Sequence, residues 1–310
     1  RRAMGTSFAD FVALRKSQDT LGPPGRPTLY AHPTDSTAQR ILNRIGLHGS
    51  VEAVIESYLK VFYGTLIHDS VQASPRQFPE LYALLTDCAD RLGIAVPRLL
   101  IGPGPGGMGM NAFTFGTDKE CFIFVTSLLA LQMSEEELRF VIGHECGHIH
   151  NQHVTYLTLG YLVLYQLFSK FWKDPDLYKF PLLATKVPIA TWQRRAEVTA
   201  DRAGAICARD TEAGARALIK LRLGFASLAQ SVDVDAYLSQ GDELARERFA
   251  VRGQELSYSH PLVVKRIKMM RLFARSELFY SCAGLPRPET LDLLQRNDLE
   301  RETEALVRVL

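Results

Sequence analysis

Between residues 78 and 92, Leu81, Leu84, Leu85, Cys88 and Leu92 recur at a spacing that lines one face of a helix. Three shorter apolar runs follow, at 97–101, 111–116 and 121–126, separated by Gly-rich or charged turns. Their length and flanking residues predict three strands of a small sheet. Ser134-Glu135-Glu136-Glu137 then forms a capping box, with Ser134 as N-cap and Glu137 three residues on. Acidic residues in the first turn suit the helix dipole. Leu138, Val141, Ile142 and Ile149 supply the apolar positions, so this helix is expected to run to about His153. The remainder reads as helical, with patterned stretches at 191–209, 212–225, 234–251, 261–276 and 289–310. Before residue 78 the pattern is helical over 36–66, broken near 46–50, and irregular over 1–35 around Gly22-Pro23-Pro24-Gly25. The whole predicts an α+β fold, predominantly helical, with a three- to four-stranded sheet.

One segment stands apart. Residues 154–169 carry no formal charge, but the run is shorter than the ~20 residues a spanning helix needs. Lys170, Lys173, Asp174 and Asp176 follow it at once. Residues 156–172 are therefore expected to form a helix packed on the protein or resting on a membrane surface as a peripheral contact, without spanning. The Gly-rich stretch 102–107 lacks the Gly-Lys-Ser/Thr ending of a phosphate loop and reads as a turn.

Composition narrows the function classes. Of 310 residues, 46% are hydrophobic and 23% charged, and 36 basic against 34 acidic residues leave a net charge of +2. That balance offers no field for nucleic acid, and no nucleic-acid partner is expected. The cysteines Cys88, Cys121, Cys146, Cys207 and Cys282 are scattered and odd in number. They suggest free thiols in a reducing compartment rather than a disulfide framework. With no apolar leader after residues 1–7, a cytoplasmic chain, membrane-associated at most, is the expectation.

The chemistry lies in His144-Glu145-Cys146-Gly147-His148, an HExxH pattern. At about 100° per residue the two histidines stand ~40° apart, one turn apart in height. Two imidazoles on one helical face can bind one Zn²⁺, and Glu145 beside them can take a proton from a water. The pattern also occurs by chance, but here it sits on a capped amphipathic helix, the context it requires. A catalytic zinc needs a third ligand. On a straight helix His153 points about 180° and His150 about 120° away from His144, so both read as polar-face or supporting residues. The longer HExxHxxGxxH pattern is not met, because the chain has Asn151 and Val154. Cys146 lies ~200° around the helix and reads as a packing residue. Downstream, Glu197 and Asp201 form an ExxxD pair one helical turn apart. Alone this would be an ordinary surface carboxylate pair. Next to an HExxH helix, Glu197 can be the third ligand, and Asp201 can accept a hydrogen bond from a ligand histidine and fix its tautomer.

Taken together with Ser74-Pro75-Arg76-Gln77-Phe78-Pro79-Glu80-Leu81, Asn111-Ala112-Phe113, Val125-Thr126-Ser127-Leu128-Leu129 and Ser259-His260-Pro261, these motifs resemble the M48 family of gluzincin metallopeptidases. The resemblance implies a zincin-like domain with one Zn²⁺ held by His144, His148 and Glu197, and with Glu145 as general base. It implies a sheet whose edge strand at Asn111, Ala112 and Phe113 binds a peptide or unfolded protein substrate. It points to His260 as the oxyanion donor, and Arg266 falls where similar sequences often carry an arginine. Many similar proteins have two membrane spans where this chain has one apolar segment. The resemblance divides the chain into an N-terminal arm with helices (1–70), a catalytic domain (71–285) and a C-terminal helix (286–310). A catalytically silent zinc-binding adaptor or membrane-surface protein on the same fold is the alternative, against which Glu145 argues.

Overall fold

A computed structural model describes residues 28–35, 66–104, 108–117, 121–158, 182–246 and 261–308. The elements are β1 (Val71–Gln72), α1 (Pro79–Leu92), β2 (Arg98–Gly102), β3 (Ala112–Gly116), β4 (Cys121–Thr126), α2 (Ser127–Gln132) and α3 (Glu135–His150). They continue with α4 (Leu182–Ala208), α5 (Thr211–Leu223), α6 (Ala226–Ala229), α7 (Val234–Arg246), α8 (Val263–Ala274), α9 (Glu277–Ala283) and α10 (Arg296–Val307). The expected α+β architecture with a small sheet is what the chain adopts.

The four strands lie in the order β1-β2-β4-β3. β4 pairs in parallel with β2 and antiparallel with β3, with Thr114 opposite Ile123 and Phe113 opposite Phe124. β4 is therefore an interior strand, and its six residues are all buried. That explains its unbroken apolar run. β3 lies at the edge, with one strand neighbour among the described residues. β1 is too short to leave a periodic signature and was not foreseen. Ile123, Val125, Leu99 and Ile101 of the sheet share one core with Leu85, Cys88 and Leu92 of α1 and Leu138, Ile142 and Cys146 of α3.

The helices follow the sequence pattern, with corrections at their ends. α3 is capped as expected: Ser134 Oγ accepts from the Glu137 amide, and Glu137 accepts from the Ser134 amide. It stops at His150 rather than His153, because Asn151 leaves helical geometry and Gln152 takes a left-handed φ of 60°. α4 starts nine residues earlier than expected, at Leu182. The stretch 261–276 ends as α8 at Ala274, since Ser276 caps a separate helix, α9. The C-terminal helix α10 is shorter than 289–310. Residues 154–158 of the apolar segment are helical; its remainder lies outside the described residues, as does most of 36–66, where a helical pattern was expected. Among the described residues no helix is long and apolar enough to cross a membrane.

α3 and α4 approach so closely that side chains are excluded where they meet. A Cβ at Gly147 would lie 2.5 Å from the Ala203 Cβ, and one at Gly143 would lie 2.5 Å from the Cys207 Cβ. This contact carries the HExxH residues of α3 to the ExxxD residues of α4.

Candidate metal centre

His144 and His148 face α4 from α3, Glu145 meets Thr114 of β3, and all three are buried. Glu197, one turn before Asp201 on α4, meets the two histidines. His144 Nε2 and His148 Nε2 stand 3.2 Å apart, with the rings edge to face. The Glu197 carboxylate closes the group, with one oxygen 3.6 Å from His144 Nε2 and the other 3.5 Å from His148 Nε2. One ligating atom from each of these residues lies within 4.8 Å of the others, a grouping that could hold a metal ion. Cys146 points elsewhere and is fully buried, and burial raises its thiol pKa well above the ordinary value.

The outward nitrogen of each histidine is occupied. His144 Nδ1 lies 3.0 Å from Asp201 Oδ1, and Arg266 forms a bidentate pair with the same carboxylate at 2.8 and 2.6 Å. Burial would raise the Asp201 pKa, but Arg266 and His144 outweigh it and hold the carboxyl below its ordinary range. Burial works against the Arg266 charge in the same way, and Asp201 and Glu197 overcome it, so its pKa rises. Asp201 is therefore an acceptor only, His144 carries its proton on Nδ1, and Nε2 presents a lone pair inward.

His148 is supported differently. Its Nδ1 lies 3.0 Å from His153 Nδ1, and His153 Nε2 lies 2.8 Å from Asp35 Oδ2. The straight-helix angle for His153 does not apply, because the chain reverses at Gln152 and returns His153 beside His148. His150 bonds Tyr30 through Nδ1, at 2.7 Å from the phenol oxygen. In the absence of a cation, burial disfavours a proton on His148, but Glu197, Glu145 and Asp35 outweigh it and its pKa is raised. A field that attracts a proton to the His148 imidazole attracts a metal cation for the same reason.

The group opens onto a cavity of about 270 Å³ lined by Asn111, Ala112 and Phe113 of the β3 edge, Glu145, Leu157 and Gln193. Thr114, on the same strand, donates its hydroxyl to Glu145 Oε2 at 2.6 Å. Neither Thr114 nor Asp35 was singled out from sequence. A lone threonine in a strand carries no chemical signature, and Asp35 lies in a stretch without periodicity. His260 falls outside the described residues.

No solved structure matches this chain. The chain is 28% identical over 256 residues to the plastoglobule-localized metallopeptidase 48, chloroplastic, of Arabidopsis thaliana, an overlap of 80% of this chain and 72% of that protein. It is 29% identical over 248 residues to a protease HtpX homolog of Thermococcus kodakarensis, covering 71% of this chain and 80% of the relative. A further HtpX homolog, from Thermoanaerobacter pseudethanolicus, is 25% identical over 231 residues, covering 65% of this chain and 74% of the relative. The sequence profile of peptidase family M48 matches residues 75–273. That stretch runs through both helices whose side chains converge at the cavity, and the chain belongs to peptidase family M48, a family of metallopeptidases.

Proposed function

We propose that this chain is a zinc-dependent endopeptidase whose metal is held by His144, His148 and Glu197. The observation that carries the reading is the convergence of two histidine Nε2 atoms and one carboxylate at a cavity that Glu145 also lines. A His₂-carboxylate set with room for a further ligand suits a catalytic zinc. When bound, zinc supplies a Lewis acid that polarises a carbonyl and acidifies a water. The chain's own residues do the rest. Glu145 takes the proton of the attacking water and hands it to the leaving amine. The β3 edge at Asn111, Ala112 and Phe113 lines the cavity and is the strand along which an extended or unfolded peptide would lie. His260, on the strength of the family resemblance, donates to the developing oxyanion.

The test is metal content and peptide hydrolysis measured on the same preparations. Glu145→Gln keeps about one zinc per chain and lowers kcat by at least ~10²–10⁴-fold, whereas His148→Ala loses the metal. His260→Ala lowers kcat by roughly 10²-fold with zinc retained. Equal metal content in wild type and His148→Ala rules out the ligand set, and full activity in Glu145→Gln rules out the base. The reading extends to a cytoplasmic chain that touches membranes peripherally through 156–172. The free, buried thiols Cys88, Cys121, Cys146 and Cys207 support a reducing compartment. Cell fractionation and liposome flotation test it, and extraction only by detergent would overturn it.

A further inference from the structure

Asp35 belongs to an N-terminal strap, residues 28–35, that lies outside the stretch matched by the family profile. Tyr30, Ala31, His32 and Asp35 of the strap are buried. The His32 amide donates to Thr199 Oγ1 of α4 at 3.1 Å, and Arg202 of α4 donates to the Tyr30 carbonyl at 3.1 Å. This docking delivers the Asp35 carboxylate, 2% exposed, to the back of the metal centre. There Asp35 meets three donors: His153 Nε2 at 2.8 Å, Thr199 Oγ1 at 2.8 Å and Trp192 Nε1 at 3.0 Å.

The direction of the chain of hydrogen bonds follows from its two ends. A carboxylate can only accept, so His153 carries its proton on Nε2 and offers a lone pair at Nδ1. That nitrogen is 3.0 Å from His148 Nδ1, so His148 must donate from Nδ1 and turn the lone pair of Nε2 inward, toward Glu197 and His144. His153 is fully buried, and its ring lies edge to face on Trp192 with centroids 5.6 Å apart. It is thus held in rotation as well as in tautomer.

We infer that Asp35, acting through His153, is a positioning residue of the metal centre. The strap supplies a carboxylate that fixes His148 as an Nε2 ligand, in the way Asp201 fixes His144. The inference rests on the assignment of His144, His148 and Glu197 as metal ligands. Outer partners of metal-binding histidines are worth ~10–100-fold in metal affinity.

The experiment measures zinc affinity by competition with a chromophoric chelator, and the visible spectrum of the cobalt-substituted protein, on the 310-residue chain and its variants, each checked for folding by circular dichroism. Asp35→Asn is expected to weaken zinc binding by roughly tenfold or more and to shift the cobalt bands. Thr199→Val and Trp192→Phe remove the other two donors to Asp35 and leave the histidine chain intact. They are expected to lower thermal stability while affinity stays within about threefold of wild type, well short of the loss expected from cutting the chain itself. His153→Gln keeps an acceptor for His148 and a donor for Asp35 and is expected to retain most of the affinity, whereas His153→Leu loses it. The His153 pair decides the matter if Asp35→Asn fails to fold. Wild-type affinity and unshifted bands in both Asp35→Asn and His153→Leu would overturn the inference. So would equal loosening in Thr199→Val and Asp35→Asn, which would make the strap a fold element only. His148→Ala separates the two levels. If it keeps its metal, the ligand assignment has failed; if it loses metal while His153→Leu does not, the positioning role alone has failed.

Discussion

His144 and His148 sit one turn apart on α3, yet the molecule supports them by different means. Behind His144 stands an ionic pair, Asp201 with Arg266, carried by α4 and α8. Behind His148 stands a histidine followed by a carboxylate, His153 and Asp35, drawn from the loop after α3 and from a distant strap. The first support lies wholly within the family-matched stretch; the second borrows Asp35 from outside it. Both have the histidine donate from Nδ1 and turn Nε2 toward the metal centre. They differ in how charge is balanced. Asp201 is neutralised by a guanidinium. Asp35 accepts hydrogen bonds from His153, Thr199 and Trp192; burial would raise its pKa, but His153, then the Thr199 hydrogen bond and His148, outweigh it and hold the carboxyl below its ordinary value.

The ionic support is expected to be the more costly to break. The Asp201 and Arg266 side chains are only 4% and 11% exposed, so Asp201→Asn takes the bidentate partner from a buried guanidinium and leaves it only the Glu197 carboxylate at 3.4 Å. Removing one partner of a buried pair costs about 3–5 kcal/mol, and urea unfolding should register it. Asp201→Asn/Arg266→Met should recover part of that loss, because the guanidinium deprived of its bidentate partner is gone. A single mutant as stable as wild type would erase the contrast between the two supports.

Acid should then act mainly on the strap side. Burial, reinforced by Arg202, lowers the His32 pKa to about 4. A histidine whose folded pKa is depressed contributes stability that is fully present above the unfolded value near 6.5. That stability is lost as pH falls toward 4, with a limit of roughly 3 kcal/mol. In chelator-treated protein, the thermal midpoint should therefore fall further for wild type than for His32→Gln between pH 7 and 4.5. Parallel curves would show that the strap carries no such sensitivity. Asp201 and Arg266 are shifted apart and stay ionised across this range.

A third change should strike both supports equally. Gly147→Ala places a methyl 2.5 Å from the Ala203 Cβ and must push α3 and α4 apart. Overpacking of this kind costs about 1–3 kcal/mol. Because the displaced contact underlies both histidines, zinc affinity and stability should fall together, and loss of stability with unchanged affinity would count against that view.

The same contrast explains what could be read from the chain. His144, His148, Glu197 and Asp201 were legible because helical geometry turns spacing into shared faces, and α3 and α4 are long regular helices. The ends of those faces were not. A left-handed Gln152 is a property of the turn, and it moved His153 from the far side of an imagined straight helix to a position behind His148. Asp35 was illegible for a different reason: its contact with His153 spans 118 residues and starts from a segment with no period. The sheet was legible as strands but not in its order, since the parallel pairing of β2 with β4 leaves no local trace.

Thr114 belongs to neither support and offers the smallest expected effect. It reaches Glu145 from β3, the strand proposed to pair with substrate, and donates to Oε2 at 2.6 Å. Thr114 and Glu145 are 7% and 6% exposed, so water cannot readily replace that bond. A hydroxyl held on a carboxylate is worth about 1.5–3 kcal/mol, but only the part that orients Glu145 for proton transfer appears in the rate. Thr114→Val keeps the shape and removes the donor, so kcat should fall roughly tenfold, about 1.4 kcal/mol of barrier. KM and zinc content should hold, because the substituted atom touches no proposed ligand. Thr114→Ser should retain most of the rate, since it keeps the hydroxyl. If Thr114→Val instead loses zinc along with activity, Thr114 bears on the metal centre as a whole, and the separation between the base and the two histidine supports is false. If kcat is unchanged, Glu145 is held by the α3 backbone and its own packing, and the sheet contributes only the substrate edge.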